Sequence, residues 1–525
     1  MRKLIAAVLC VLTLFTASCA DAGDPSAEAT NEENDMTKTI FYSDFGAKGD
    51  GVTNDYKAIK DAHESANKSG AMVCADPGAV YYIGWIPHTI PIRTDVDWGD
   101  AEFIIDDTKV SYKNKERGVW IFTIEPSTKA PALNVTDGLS IGAGQTDTGI
   151  RADRPCMIRI EDSLKTDYRR YGVNADSGST RTEMLLIDAD GKVDGSTPVQ
   201  YDYKSVSATA YTIDDKPITI SGGKFTTRAN DPLAENPDYP GGYDYYARGI
   251  LCTRSNVTLE GIEHYIEGER WDTPVGGGAP YAAFYQITNA YNVTLKDCVA
   301  TGHCEFAFVT AGDQLCGMGS YDLQSTRSVD VKLIGLTQSN SITDREHQHG
   351  LIGTNYTRNI LMENCHVDRF DSHKGLYNAT IRNSTLGFDL FVIGGGELVV
   401  ENVKRLSGWC FIGLREDYGS VWNGSITIKD CEYAGGKVII GGTWRSFNTG
   451  LPANIGTKIL IDQLKVTDPS TCVYHIKGAS AVSLTDTVNP LIPPSGVTFR
   501  NMNPLPLAND PDVKAALDSC VVVTE

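Results

Sequence analysis

The sequence predicts an all-β chain wound as a right-handed parallel β-helix, with a short helix at its N-terminal end. Three observations predict it: a six-residue motif that recurs nine times, a small or amide residue at one fixed place within it, and a shortest repeat of 19 residues. The motif runs VTLEGI (257–262), VTLKDC (293–298), VKLIGL (331–336), ILMENC (360–365), ATIRNS (379–384), LVVENV (398–403), ITIKDC (426–431), ILIDQL (459–464) and VTFRNM (497–502). Its third residue is always apolar. Its fifth reads Gly261, Asp297, Gly335, Asn364, Asn383, Asn402, Asp430, Gln463 and Asn501. Gly, Asn and Asp enter left-handed backbone at least cost, so this column marks a sharp bend between short strands, and stacked bends build a side-chain ladder. The tightest steps, 362 to 381 to 400, fit three short strands with turns and barely fit a helix plus a strand. A unit that stacks only on its neighbours is a solenoid coil. The sixth column places Cys298, Cys365 and Cys431 among Ile, Leu, Val and Met, which reads as an interior stack of thiols acting as small hydrophobes.

Composition bounds the rest. The 525 residues include 41% apolar residues and 51 glycines and carry a formal net charge of −20, which suits a large core with many turns and argues against a nucleic-acid binder. Arg2 and Lys3 precede an apolar run from Leu4 to Phe15 and then TASC, ending at Cys19. This is the layout of an export signal, and Cys19 is placed as a lipidation site, which is preferred to plain secretion although Thr16 departs from the usual motif. Residues 20–37 read as an acidic tether. Residues 38–525 are expected to form one domain: cap and first coils over 38–130, main coils over 131–505, and a C-terminal cap over 506–525. The expected location is the cell surface or beyond, with membrane contact only through the lipid.

The segment DFGAKGDGVTNDYKAIKDAHESANKSG (44–70) resembles the opening of the pectate-lyase-like β-helix superfamily, which includes polygalacturonases, rhamnogalacturonases, lyases, uronan epimerases and phage tailspikes. Physically it reads as a Gly-rich turn, a cap at Asn54 or Asp55, and a helix with Ala58, Ile59 and Ala62 on one face. The resemblance implies that this helix covers the open end of the coil, and that the partner is a polysaccharide or oligosaccharide.

In such a scaffold function sits on one face and the loops beside it. The stretch VDRFDSHKGLYNATIRNSTLG (367–387) crowds Asp368, Arg369, Asp371, His373 and Lys374 into seven residues. A turn is expected at DRFD, with SHKG beyond it on the candidate face. Neighbouring coils place HQHGLIG (347–353), LFVIGG (390–395) and CFIGLR (410–415) on the same face. Alternation puts Asp371 and His373 on one side of the strand and Ser372 and Lys374 on the other, and does not say which side faces out.

Elimination from a uronic acid needs a cation for the carboxylate, a base for the C5 proton and an acid for the leaving oxygen, and His, Lys and Arg supply these near neutral pH. The catalytic candidates are therefore His373, Lys374, Asp371, Arg369 and His349. His347, Glu305, Asp344, Glu346, Arg415, Asp417 and Trp409 are the candidates for substrate binding. FDSH (370–373) also resembles the Asp-Pro-His stretch of alginate C5-epimerases and related lyases, which implies roles for Asp371 and His373. Hydrolysis by two carboxylates is the alternative, drawn from Glu305, Asp313, Asp344, Glu346, Asp371, Glu416 and Asp417. The Asn-Thr-Asp, Asp-Asp, Gly-His-Gly and Arg-Ile-Lys runs of polygalacturonases are not found. A non-catalytic glycan-binding β-helix is the third reading. Calcium is the one cofactor the acidic composition leaves open, without diagnostic spacing. Trp271, Trp409, Trp422 and Trp444 lie in or beside longer loops, where indole rings could stack on sugars or simply cover the coil. LREDYGSVWNG (414–424) is the second candidate region.

Overall fold

The computed structural model describes residues 38–170, 175–269, 278–309, 315–344, 351–435, 438–443, 453–467, 472–477, 491–492, 494–501 and 521–524. Nearly every strand belongs to one parallel system in which each coil pairs with the coil before and after it, the arrangement of a right-handed parallel β-helix. The register is the one the nine motifs predict. Leu259 lies beside Leu295, Leu295 beside Leu333, Leu333 beside Met362, Met362 beside Ile381 and Ile381 beside Val400. The row continues through Ile428, Ile461 and Phe499, and all nine residues are buried. Every residue of the fifth column is left-handed, with φ between 50° and 68°. The bend thus turns each coil from a long ladder face onto a short face, such as Lys404–Arg405, and from there to a third face.

Two asparagine ladders run along the coil. In the predicted column Asn402 donates its Nδ2 to Asn383 Oδ1 at 2.8 Å. A second column sits one residue before each of the first five motifs, at Asn256, Asn292, Asp330, Asn359 and Asn378, also left-handed. There Asn292 donates to Asn256 at 2.7 Å, Asn359 to Asp330 at 2.9 Å and Asn378 to Asn359 at 3.0 Å. Cys298, Cys365 and Cys431 are free and buried as expected, each close to backbone carbonyls, as Cys298 Sγ is to Leu259 O at 3.5 Å.

The N-terminal helix, Tyr56–Ser69, buries Ala58, Ile59, Ala62, His63 and Ala66. Asp55 stands at its cap, yet its carboxylate accepts from Lys48 N and Gly49 N at 2.7 and 3.0 Å, tying down the Gly-rich turn instead of the helix. Asn54 Oδ1 accepts from Tyr56 N at 3.1 Å. His63 meets the Tyr42 hydroxyl at 2.8 Å, and Trp98 Nε1 donates to that same hydroxyl at 2.8 Å.

The expectation that coils run from residue 131 is corrected. Strands Cys156–Asp167, Ser179–Ile187 and Val206–Tyr211 form a separate antiparallel sheet with its own core of Ile158, Ile160, Leu185 and Ile187. The two longer strands are apolar on both faces where they are buried, as in MLLI (184–187), and carry no motif. Met157, Met184 and Leu186 from this insertion pack against Val329 of the ladder face. Arg358, buried on the same face, donates to Met184 O at 2.9 Å and Pro198 O at 2.6 Å. At the far end, Val521–Thr524 pairs with Gly496–Arg500 and extends the ladder face.

Two stability measurements test this account. Asn383→Val is expected to cost about 2–3 kcal/mol, from left-handed strain of about 1–2 plus a hydrogen bond of about 1. Asn383→Gly should cost only the latter, and equal losses in denaturant unfolding would refute the backbone explanation. Burial holds His63 down to about 3, so the native imidazole stays neutral while the unfolded one takes a proton below about 6.5. The stability this contributes is complete above about pH 6.5 and is lost as pH falls toward 3. A His63→Gln variant is expected to show a shallower loss of Tm across that window than the parent.

Candidate active site

Strand His366–Lys374 runs from the short face to the third face without interruption. The turn expected at DRFD is absent: the strand bends with a register shift between Val367 and Arg369, because a 19-residue coil has no residues to spare for a loop. Phe370 and Ser372 point inward, Phe370 into the core and Ser372 Oγ to Ile393 O at 3.2 Å. Arg369, Asp371 and His373 therefore share the outward side. The alternation ends at His373, where a bulge pairs Ser372 with Thr354 but Lys374 with Asn355. Gln324, Gly353, Asp371, Phe391 and Gly413 follow one another along the outward row of successive coils.

Asp371 is the hub. Its Oδ2 contacts Arg415 Nη1 at 2.5 Å, Arg369 Nη2 at 3.0 Å and His373 Nε2 at 3.4 Å, and the side chain has 0% exposure. Arg415 also grips Asp417 with two bonds, at 3.0 and 2.8 Å, and Asp417 meets Arg170 of the insertion at 2.7 Å. Burial pushes the Asp371 carboxyl up, but Arg415, His373 and Arg369 overcome it and hold it well below the usual carboxylate range. Burial, then the Arg415 charge, keeps His373 below its ordinary value despite Asp371, so its imidazole is neutral at pH 7.

The other side of the imidazole meets Tyr321, whose hydroxyl lies 3.4 Å from His373 Nδ1. A Cβ at Gly353 would come within 2.8 Å of the Tyr321 ring, so the missing side chain there is what lets the ring lean toward His373. Burial and the neighbouring Tyr245 raise the phenol, which stays protonated. Lys374 turns to the insertion, donating to Ser179 Oγ at 2.8 Å and pairing with Asp176 at 3.4 Å. Lys374, Arg170 and Arg415 lie 5.8 to 5.9 Å from the Tyr418 ring centre. Arg369 has Asp389 at 3.8 Å as its second carboxylate, and its buried Nε has no hydrogen-bond partner among the described residues.

Of the sequence-predicted residues, Asp371, His373, Arg369, Arg415 and Asp417 converge here, and Lys374 adjoins them. Regions 367–375 and 414–424 form one site. Trp409 is 37% exposed, with its ring over Gly441 on the same face. Asp344 lies in a turn after Ile342. Glu305 opens the hairpin strand Glu305–Val309. Trp422 is corrected: it is buried in the core, its indole donating to Ser425 O at 3.1 Å. Cys19, Trp271, Asp313, Glu346, His347, His349 and Trp444 lie outside the described residues. Sequence reading missed Tyr321, Tyr418, Arg170 and Asp176. Tyr418 sits inside the second quoted stretch and was available; Arg170 and Asp176 come from an insertion with no motif.

A second polar cluster lies inward of the bend. His303 sits between Glu269 at 2.8 Å and Asp322 at 3.3 Å. Burial works against its charge, but Glu269 and Asp322 hold it up to about 10. Asp368 is fully buried with neither oxygen partnered among the described residues, and burial and Asp322 keep it protonated. Among the described residues no three His, Cys, Asp or Glu side chains converge in an arrangement that could hold a metal ion.

The electrostatic wiring gives a direct measurement. Asp371→Asn removes the carboxylate that lifts His373, so the imidazole pKa is expected to fall further in an NMR titration. Arg415→Gln removes a cation that depresses it and should move it the other way. Shifts of the same sign in both variants would refute this arrangement.

No protein-family model and no curated protein sequence matches the chain. Among solved structures it is similar to the Pseudomonas phage phi297 tailspike gp61, with 13% identity over 88% of this chain and 80% of that one and a TM-score of 0.48. It is also similar to the Gp54 tailspike of Acinetobacter baumannii bacteriophage AP22, solved with a capsular saccharide, at 9% identity, 87% and 77% coverage and a TM-score of 0.43. A third is an exopolygalacturonase from Thermotoga maritima, at 11% identity, 82% and 87% coverage and a TM-score of 0.32.

Proposed function

We propose that this chain is an exported enzyme that cleaves a polysaccharide by β-elimination at a uronic acid, with His373 and Tyr321 as its proton-transfer pair. The observation that carries the reading is a neutral imidazole touching a protonated phenol, flanked by two arginines. His373 takes the C5 proton. The electrons of that C–H bond form the C4–C5 double bond as the C4–O bond breaks, and Tyr321 supplies the proton to the departing oxygen. The contact between His373 Nδ1 and the Tyr321 hydroxyl then returns the proton to the phenol. At 3.4 Å it is longer than a good hydrogen bond, as such contacts often are before substrate arrives. Arg369, whose side chain keeps 16% exposure, receives the uronate carboxylate and so acidifies the C5 proton.

Hydrolysis by a carboxylate pair draws no support from this cluster. That chemistry needs one carboxyl to carry a proton, and both Asp371 and Asp417 are held ionised by arginine. Asp371 here positions His373 and balances Arg369 and Arg415.

Purified protein is to be tested on uronate-containing and neutral polysaccharides, reading ultraviolet absorbance of unsaturated uronate together with new reducing ends. Both signals are expected to rise on a uronate polymer. His373→Ala and Tyr321→Phe should each lower the rate by about 10²- to 10⁴-fold. Reducing ends without absorbance would discard elimination. Binding without product, unchanged in the His373→Ala/Lys374→Ala double variant, would make this a glycan-binding β-helix.

A further inference from the structure

Beyond the His373 cluster, and bordered by the same Tyr418 ring, lies a second concave site. A cavity of about 190 Å³ opens between the insertion and the coils, with Asp167, Tyr168 and Tyr201 on one wall and Tyr418, Asn423 and Asn454 on the other.

The lining is suited to an uncharged polyol. Three phenol rings offer apolar faces with polar edges. Asn454 donates Nδ2 to Asn423 Oδ1 at 2.7 Å and accepts from Gly456 N at 3.0 Å. Both amides are thereby fixed, with the Nδ2 of exposed Asn423 left to donate. Asp167, the charged side chain among the described lining residues, is matched by a two-pronged Arg181 at 2.8 and 3.0 Å, which itself lies 4.9 Å from the Tyr201 ring centre. Tyr168 holds φ at 51°, an outlier for a bulky residue, and its ring packs edge-on against Tyr356 at 5.8 Å. Backbone strain of this kind persists where surrounding structure enforces it.

We infer that this cavity is a subsite for an uncharged sugar ring, so that the substrate is a mixed polysaccharide with a neutral sugar next to the uronate. The inference rests on the elimination reading for its neighbouring uronate. The cavity and the cation cluster sort two sugars by charge: phenol and amide on one side of Tyr418, arginine on the other.

The test separates the two readings by measuring binding without turnover. Full-length His373→Ala is titrated calorimetrically with a tetrasaccharide alternating glucuronate and glucose, and with a glucuronate tetrasaccharide of the same length. The mixed oligosaccharide is expected to bind at least about tenfold tighter. Asn423→Ala, and separately Tyr168→Gly, each added to that background should erase the preference by weakening the mixed ligand about tenfold while leaving the homo-oligomer unchanged. Asn423 is exposed, so its variant keeps the test valid if Tyr168→Gly loses thermal stability. Equal binding of the two oligosaccharides, binding of neither, or a preference that survives Asn423→Ala would overturn the inference. Absence of unsaturated product from the active protein would instead sink the elimination reading and leave the binding preference readable.

Discussion

Everything in this molecule depends on a left-handed bend repeated at one place in each coil. Because every coil turns at the same residue, outward positions of neighbouring coils fall into rows about 4.8 Å apart. Row position then does what a loop does in other folds. Gly353, Asp371 and Phe391 are adjacent although 18 and 20 residues separate them in the chain, since 371 less 353 is 18 and 391 less 371 is 20. A slip of one residue in that register would send Asp371 to the interior.

The two histidine clusters show how that geometry sets chemistry. His303 and His373 are both nearly enclosed, and both have a carboxylate within 3.4 Å. Their charge states are opposite. His303 has two acids, Glu269 and Asp322, which outweigh its burial, so it is held protonated. His373 has Asp371, but Arg415 and Arg369 already claim that carboxylate, and Arg415 repels a proton on the imidazole. One residue type is thus held as a buried cation in one cluster and as a neutral imidazole in the other. What differs is which arginines the coil stacking brings near.

Sequence reading reached the fold and the register because both are local: a single column of Gly, Asn and Asp fixes the bend, and an apolar third residue fixes the core row. The second ladder was equally legible, since Asn292, Asn359 and Asn378 stand directly before their motifs. It escaped because alignment began at the first apolar residue. Asp371, His373, Arg369, Arg415 and Asp417 were also legible, from charge density in the shortest coils. Tyr321 was not, because an aromatic residue at a strand start reads as core, and only Gly353 on the next coil reveals where its ring goes.

The insertion marks the limit of local reading. A β-helix face is nearly flat, and a flat sheet cannot enclose a sugar, so concavity must come from elsewhere. Here an antiparallel sheet supplies it, anchored on the ladder face through Val329 and Arg358 and reaching around to the third face with Tyr168, Arg170 and Asp176. Arg358 occupies a ladder-strand position where neighbouring coils carry Val329 and Tyr377. Its buried guanidinium costs desolvation that the carbonyls of Met184 and Pro198, the carboxylate of Glu183 and the Tyr377 ring at 4.5 Å offset. The docking is therefore specific, and the specificity lies 175 residues apart in the chain. A motif search within one coil cannot see a partner at that distance, which is why the scaffold was readable from the sequence and the wall of the cleft was not.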